Sequence, residues 1–71
     1  MKPEFATILA NGTREEVKLP CSVADFVTDH GWKATQVVVE FNGRVLQRDE
    51  LGKMMLYGGE QLEVIVPVAG G

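Results

Sequence analysis

Two Asn-Gly dipeptides, Asn11-Gly12 and Asn42-Gly43, each sit between β-prone runs. Asn-Gly suits a two-residue hairpin turn because both residues tolerate the positive φ that such a turn requires. The runs EFATILA (4–10) and REEVKLP (14–20) therefore read as one hairpin, and QVVVEF (36–41) and RVLQ (44–47) as a second. In the second strand Glu15, Val17 and Leu19 share a face, with Val17 and Leu19 inward, and in the third Val37, Val39 and Phe41 do. A chain of 71 residues makes one domain. At that size it buries only about 60% of the surface its unfolded chain exposes, which leaves little room for a substrate-sized pocket beside the core.

The segment between the hairpins, SVADFVTDHG (22–31), changes period. Val23, Phe26, Val27 and His30 fall at i, i+3, i+4 and i+7, one face of a helix. Ser22 is a good N-cap, Asp25 lies near the positive helix end, and Gly31 is a natural stop. The pattern predicts a helix of about three turns, enough to cover one sheet face. RDELGKMMLYGG (48–59) has no clear period and reads as a loop with a short helical turn, with Leu56 its core residue. EQLEVIV (60–66) alternates, with Leu62, Val64 and Val66 on one face, and Pro67 ends that strand. The order β-β-α-β-β-β predicts an α+β layer, a mixed β-sheet of about five strands with one helix across it, and it fits a β-grasp. Residues 1–66 form the expected domain and 67–71 a flexible tail ending Gly-Gly.

Composition narrows the function classes. At 45% apolar and 24% charged the chain is ordinary for a globular domain. A net charge of −3 argues against nucleic acid, which wants clustered Lys and Arg, and suits a partner with a basic surface. The single cysteine cannot form an internal disulfide, and no Cys/His cluster points to a metal. The start MKPEFATILA has no sustained apolar region, and no run approaches a membrane span. These features predict a soluble cytoplasmic protein with no bound cofactor.

Individual side chains carry little chemistry of their own. Cys21 beside Pro20 lies at the helix entrance, where a thiol pKa can fall, although a lone cysteine is more often a packing residue. His30 has no evident acid or metal partner in the sequence and reads as structural. Asp49 and Glu50 read as solvated loop acids rather than a paired acid and base. Met54, Met55, Leu56 and Tyr57 cannot all face inward, and with Leu9, Leu46, Ile65 and Trp32 some of them are candidates for an exposed partner-binding patch, while Arg48 and Arg44 lie near the second hairpin, as solvated charges or as partners for acids on another protein. The last six residues, VPVAGG (66–71), raise a separate question, because two glycines in succession leave a backbone able to thread a narrow channel.

Taken together, NGTREEVKLPCSVADFVTDHG (11–31), VVVEFNGRVLQRDEL (37–51) and LYGGEQLEVIVPVAGG (56–71) resemble the ThiS family of ubiquitin-like sulfur carriers, over nearly the whole chain from about Ile8 to Gly71. The matching features are Asn11-Gly12, the Ser22 to Asp25 helix start, Val37 to Gly43 followed by Arg48, Gly59-Glu60, and Gly70-Gly71. Ala69 stands where family chains often carry a first glycine, and Glu60 where they usually have Asp. The resemblance implies a protein cosubstrate rather than an enzyme. A ThiF-type adenylyltransferase would use ATP and Mg to adenylate the carboxylate of Gly71. A sulfur donor such as a cysteine desulfurase would displace AMP to leave a thiocarboxylate, and a ThiG-type thiazole synthase would take the sulfur. Gly70, Ala69 and Val68 would thread the tail into the partner, while Leu46, Met54, Met55, Ile65 and Arg48 are the candidate docking residues. A molybdopterin synthase small-subunit-like carrier, a ubiquitin-like modifier and a non-catalytic interaction domain remain as alternatives, and neither nucleic acid nor membrane is an expected partner.

Overall fold

The computed structural model describes residues 4–68. Strand β1 (Glu4–Ala10) and strand β2 (Thr13–Leu19) form the first hairpin. A two-residue strand β3 (Cys21–Ser22) leads directly into helix α1 (Val23–Asp29). A 3-10 turn (Ala34–Gln36) precedes β4 (Val38–Phe41), which pairs with the short β5 (Arg44–Val45). A second 3-10 turn (Arg48–Glu50), strand β6 (Met55–Leu56) and strand β7 (Gln61–Ile65) follow. The main sheet has five strands in the order β2-β1-β7-β4-β5, with β1 and β7 parallel and every other pairing antiparallel. This is the α+β β-grasp arrangement that the alternating runs predict.

Both Asn-Gly turns form, with φ of +50° and +80° at Asn11 and Gly12 and +50° and +85° at Asn42 and Gly43. Each asparagine has a second role. Asn42 Oδ1 accepts from the Gln61 amide at 2.9 Å, and Asn11 Oδ1 accepts from the Val64 amide at 2.8 Å. The two turns thus hold both sides of the central strand β7, supplying acceptors where its ladders run out.

Helix α1 begins at a complete capping box: Ser22 Oγ accepts from the Asp25 amide, and the Asp25 carboxylate accepts from the Ser22 amide. It has 7 residues rather than the expected three turns, because His30 already leaves helical geometry and Gly31 turns the chain at φ +84°. Its apolar face puts Val23, Phe26 and Val27 against Ile8, Ala10, Val17, Val39, Leu62 and Val64 of the sheet. Cys21, Leu46, Leu51 and Leu56 close the remaining sides. Full burial of a side chain such as Phe26 contributes about 1.5–3 kcal/mol.

Besides the helix length, four expectations about the strands and the core need correction. The chain from Ala34 to Gln36 forms a 3-10 turn, so β4 starts at Val38 rather than Gln36. The 48–59 segment holds a second, two-stranded ladder, in which β6 pairs with β3 beside the helix entrance. Val66 was expected to share a strand face with Leu62 and Val64 but lies beyond the end of β7 and is exposed, because the described β4/β7 ladder ends at Ile65. Leu46 was expected on a partner surface but is only 6% exposed. Its amide donates to Val39 O at 2.9 Å, which turns the side chain into the core.

Candidate functional site

Alternation gives the sheet two different faces. On the face away from α1, Val38 of β4 lies directly opposite Ile65 of β7, and Val45 of β5 lies opposite Glu40 one step along. Val38, Val45 and Ile65 are 38%, 49% and 45% exposed. No described element covers them. Three exposed β-branched side chains on adjacent strands make an apolar patch on that face. The main chain leaves the central strand β7 after Ile65, and the Val66, Pro67 and Val68 that follow are all exposed.

The predicted site residues divide accordingly. Ile65 and Val68 are on the surface at the exit of β7. Met54 and Met55 are half-buried; Met54 packs against the core, and Met55 lies in the small ladder opposite Ser22. They are therefore not part of the Val38–Val45–Ile65 patch. Trp32 also packs against the core, and Leu9 is half-buried on the open face. Arg48 is exposed and donates through Nη2 to Thr35 O at 3.3 Å, which links the two 3-10 turns. Ala69, Gly70 and Gly71 lie outside the described residues. Val38 and Val45 were missed from sequence. Their strand register carries the signal, since Val39 inward puts Val38 outward.

Side chains that invite a catalytic reading have structural partners. Cys21 is buried, and burial first, then the charges of Asp25 and Asp29, push its thiol pKa up, away from a reactive thiolate. The Glu50 carboxylate accepts from the Gln47 amide at 2.8 Å and pairs with Arg44 at 3.2 Å. The Gln47 amide first, and the Arg44 guanidinium after it, hold the Glu50 pKa below the usual carboxylate value. His30 does have an acid partner, contrary to the sequence reading. Its Nε2 bonds Glu15 Oε1, its Nδ1 lies 2.9 Å from Phe26 O, and its ring stacks on Trp32 at 5.6 Å between centroids.

Glu60 is a buried carboxylate with a defined task. Its two oxygens accept from the Tyr57 and Gly58 amides, each at 2.8 Å. The adjoining backbone is tied to β1 by Leu9 N to Glu60 O and Gly59 N to Thr7 O. This closes the approach to β7, and with it sets where the chain leaves the sheet. Among the described residues no group of three His, Cys, Asp or Glu is arranged to hold a metal, and no helix is long and apolar enough to cross a membrane.

Comparisons with known proteins bear on the family and the fold. A family model, that of the ThiS family, matches residues 5–71. The crystal structure of a thiamine biosynthesis protein (ThiS) from Geobacter metallireducens superposes with a TM-score of 0.76 at 25% identity, covering 92% of this chain and 99% of that one. The N-terminal ubiquitin-like domain in the 4931431F19Rik protein superposes with a TM-score of 0.57 at 17% identity, covering 97% of this chain and 79% of that one. At that identity the second likeness speaks to fold alone. No curated protein gives a significant match.

Proposed function

The chain belongs to the ThiS family, and from that premise we propose that it is a sulfur carrier of thiamine biosynthesis whose working atom is the carboxyl carbon of Gly71. The observation that carries this reading is the family match, which runs through to Gly71 and includes Gly70-Gly71. In this reading activation falls to a partner, and among the described residues Cys21, His30 and Glu50 all have structural partners or are buried. A carboxylate is a poor acyl donor, and adenylation converts its oxygen into a good leaving group. In a ThiF-type adenylyltransferase the Gly71 carboxylate attacks the α-phosphate of ATP and pyrophosphate departs, with Mg²⁺ and positive charge supplied by the enzyme. The persulfide of a sulfur donor such as a cysteine desulfurase then displaces AMP to give an acyl disulfide on Gly71, a further thiol attacks the donor's sulfur and leaves with it as a disulfide, and the thiocarboxylate so released serves a ThiG-type thiazole synthase.

The β-grasp contributes delivery. Four residues from Val68 to Gly71 reach about 13 Å when extended, enough to enter a recessed site while the domain stays outside. Glycine at the end leaves no Cβ beside the reacting carbonyl. The Val38–Val45–Ile65 patch, which includes the last residue of β7, is the docking surface in this reading.

Intact-protein mass spectrometry tests it. The chain, incubated with ATP, Mg²⁺, a ThiF-type enzyme and a sulfur donor, gains the mass difference of one oxygen replaced by sulfur. Gly71→Ala keeps the fold and loses the gain. An isopeptide-linked conjugate in place of the sulfur product would assign the chain to the protein modifiers. Normal thiocarboxylate formation by Gly71→Ala would overturn the role given to the terminus.

A further inference from the structure

The β4/β7 register puts two acids directly opposite each other on the open face, Glu40 against Glu63. Directly paired residues on one face hold their Cβ atoms about 5 Å apart, and like charges in that position are destabilising. Neither carboxylate forms an ion pair with Lys or Arg among the described residues. The nearby cations are committed or distant. Arg44 is taken by Glu50, and Arg14 and Lys18 lie on β2, two strands away from β7 at roughly 5 Å per strand. The fold therefore leaves a repulsive pair uncompensated near the middle of its sheet.

Two further features lie on the same face. An open hollow of about 220 Å³ adjoins the acids, lined by both of them together with Leu9, Gln61 and the turn glycines Gly12 and Gly43. On the other side the acids adjoin Val38, Val45 and Ile65, exposed and continuous with the chain's exit. A concave acidic notch beside an apolar patch matches a protein surface that presents an apolar area with a cation next to it. It disfavours a polyanion.

We propose that Glu40 and Glu63 read the charge of the docking partner: an arginine or lysine of the adenylyltransferase enters between them as the apolar patch is covered. The partner named here rests on the sulfur-carrier reading above. Relief of the Glu40–Glu63 repulsion then favours the complex over the free carrier. The pair costs the isolated domain stability and contributes to encounter and orientation, which is where charge complementarity acts most strongly. It also rejects partner surfaces that are acidic at that point, because a third carboxylate there raises the repulsion.

The test combines stability with adenylation kinetics, using the same ThiF-type enzyme and following pyrophosphate release. Glu63→Gln or Glu40→Gln raises the KM for the carrier about two- to fivefold with kcat little changed. Each also flattens the dependence of KM on salt. Glu63→Lys is the sharper variant. It places an opposite charge against Glu40, so the free domain melts at a higher temperature, while KM rises more than the glutamine variants raise it. A merely structural role would move stability and docking in the same direction; here they move apart. Wild-type KM and salt dependence retained by Glu63→Lys would overturn the charge-reading role while leaving the carrier reading intact. A wild-type chain that the enzyme does not adenylate would overturn the carrier reading and with it the partner named here. A concentration-dependent dimer of the wild type, abolished by Glu63→Lys, would assign the face to a second copy and overturn the proposal.

Discussion

The two faces of the five-stranded sheet are built from alternate residues of the same strands, yet they have opposite characters. On the helix side Ile8, Val39, Leu62 and Val64 are closed under α1. On the open side Val38, Ile65 and Val45 meet solvent, with Glu40 and Glu63 between the apolar patch and the turns. Val38 and Val39 are sequence neighbours, as are Val64 and Ile65, and in each pair one belongs to the core and the other to the surface. A period of two lets one strand satisfy a folding requirement and a recognition requirement independently. Apolar truncations on the helix side should therefore read out chiefly as stability, and those on the open side chiefly as docking.

The largest effect that tests this separation is Leu46→Ala against Ile65→Ala. Both residues look like surface candidates in the sequence, but Leu46 is in the core. Truncating a buried leucine costs about 2–5 kcal/mol, whereas an exposed position usually costs under about 1 kcal/mol. Urea unfolding of the two variants measures the difference. Equal losses would show that the open face is part of the folding unit after all. With the fold intact, Ile65→Ala is expected to raise the KM for adenylation.

Glu60 gives the next effect, about 2–3 kcal/mol for Glu60→Ala, since two part-buried amides lose a charged acceptor at once. It belongs to neither face; it fixes the entry to β7, which both faces share. Amide hydrogen exchange should show where the loss acts. Faster exchange is expected first at Tyr57 and Gly58, then at Leu9 and Gly59, whose amides join β1 to the Gly59-Glu60 segment. Uniform loss across the sheet would mean that the turn does not open ahead of the rest.

The parts of this fold that were legible in the sequence are those dictated by local rules. Asn-Gly turns, strict alternation, and the Ser22–Asp25 helix start each depend on residues close in the chain. What escaped depends on pairing between distant segments. The β3/β6 ladder joins Cys21–Ser22 to Met55–Leu56, and two residues per strand leave no periodic trace. Leu46 looked like surface because its inward turn depends on the bond to Val39. The open-face patch was only partly visible: Ile65 was chosen and Val38 and Val45 were not, because their meeting with Ile65 on one face follows from the pairing of β4 with β7 and β5. The Glu40–Glu63 opposition is likewise a fact of register, absent from either strand alone.

The smallest expected effect lies at the rim between the faces, where His30 ends α1 and meets Glu15 of β2. Both ring nitrogens face acceptors, the Glu15 carboxylate and the Phe26 carbonyl, and only the doubly protonated ring donates to both. Burial disfavours the charged ring; the bonds to Glu15 and Phe26, together with the charges of Glu15 and Asp29, outweigh it, and the His30 pKa is raised. A folded-state pKa above the unfolded value near 6.5 means that the folded chain binds the proton more tightly. The stabilisation is therefore complete below about pH 6.5 and is lost as pH rises through the higher folded value. Because both side chains are about a third exposed (32% each), solvent screens the pair, and its contribution stays under about 1 kcal/mol. His30→Gln should flatten that fall when urea midpoints are compared between about pH 5.5 and about pH 8.5, and Glu15→Gln should flatten it only in part, because the Phe26 carbonyl and the Asp29 charge still favour the charged ring. A wild-type midpoint that rises with pH across this window would show that the ring is neutral in the fold, and that α1 is held to β2 by packing on Trp32 and Phe26 alone.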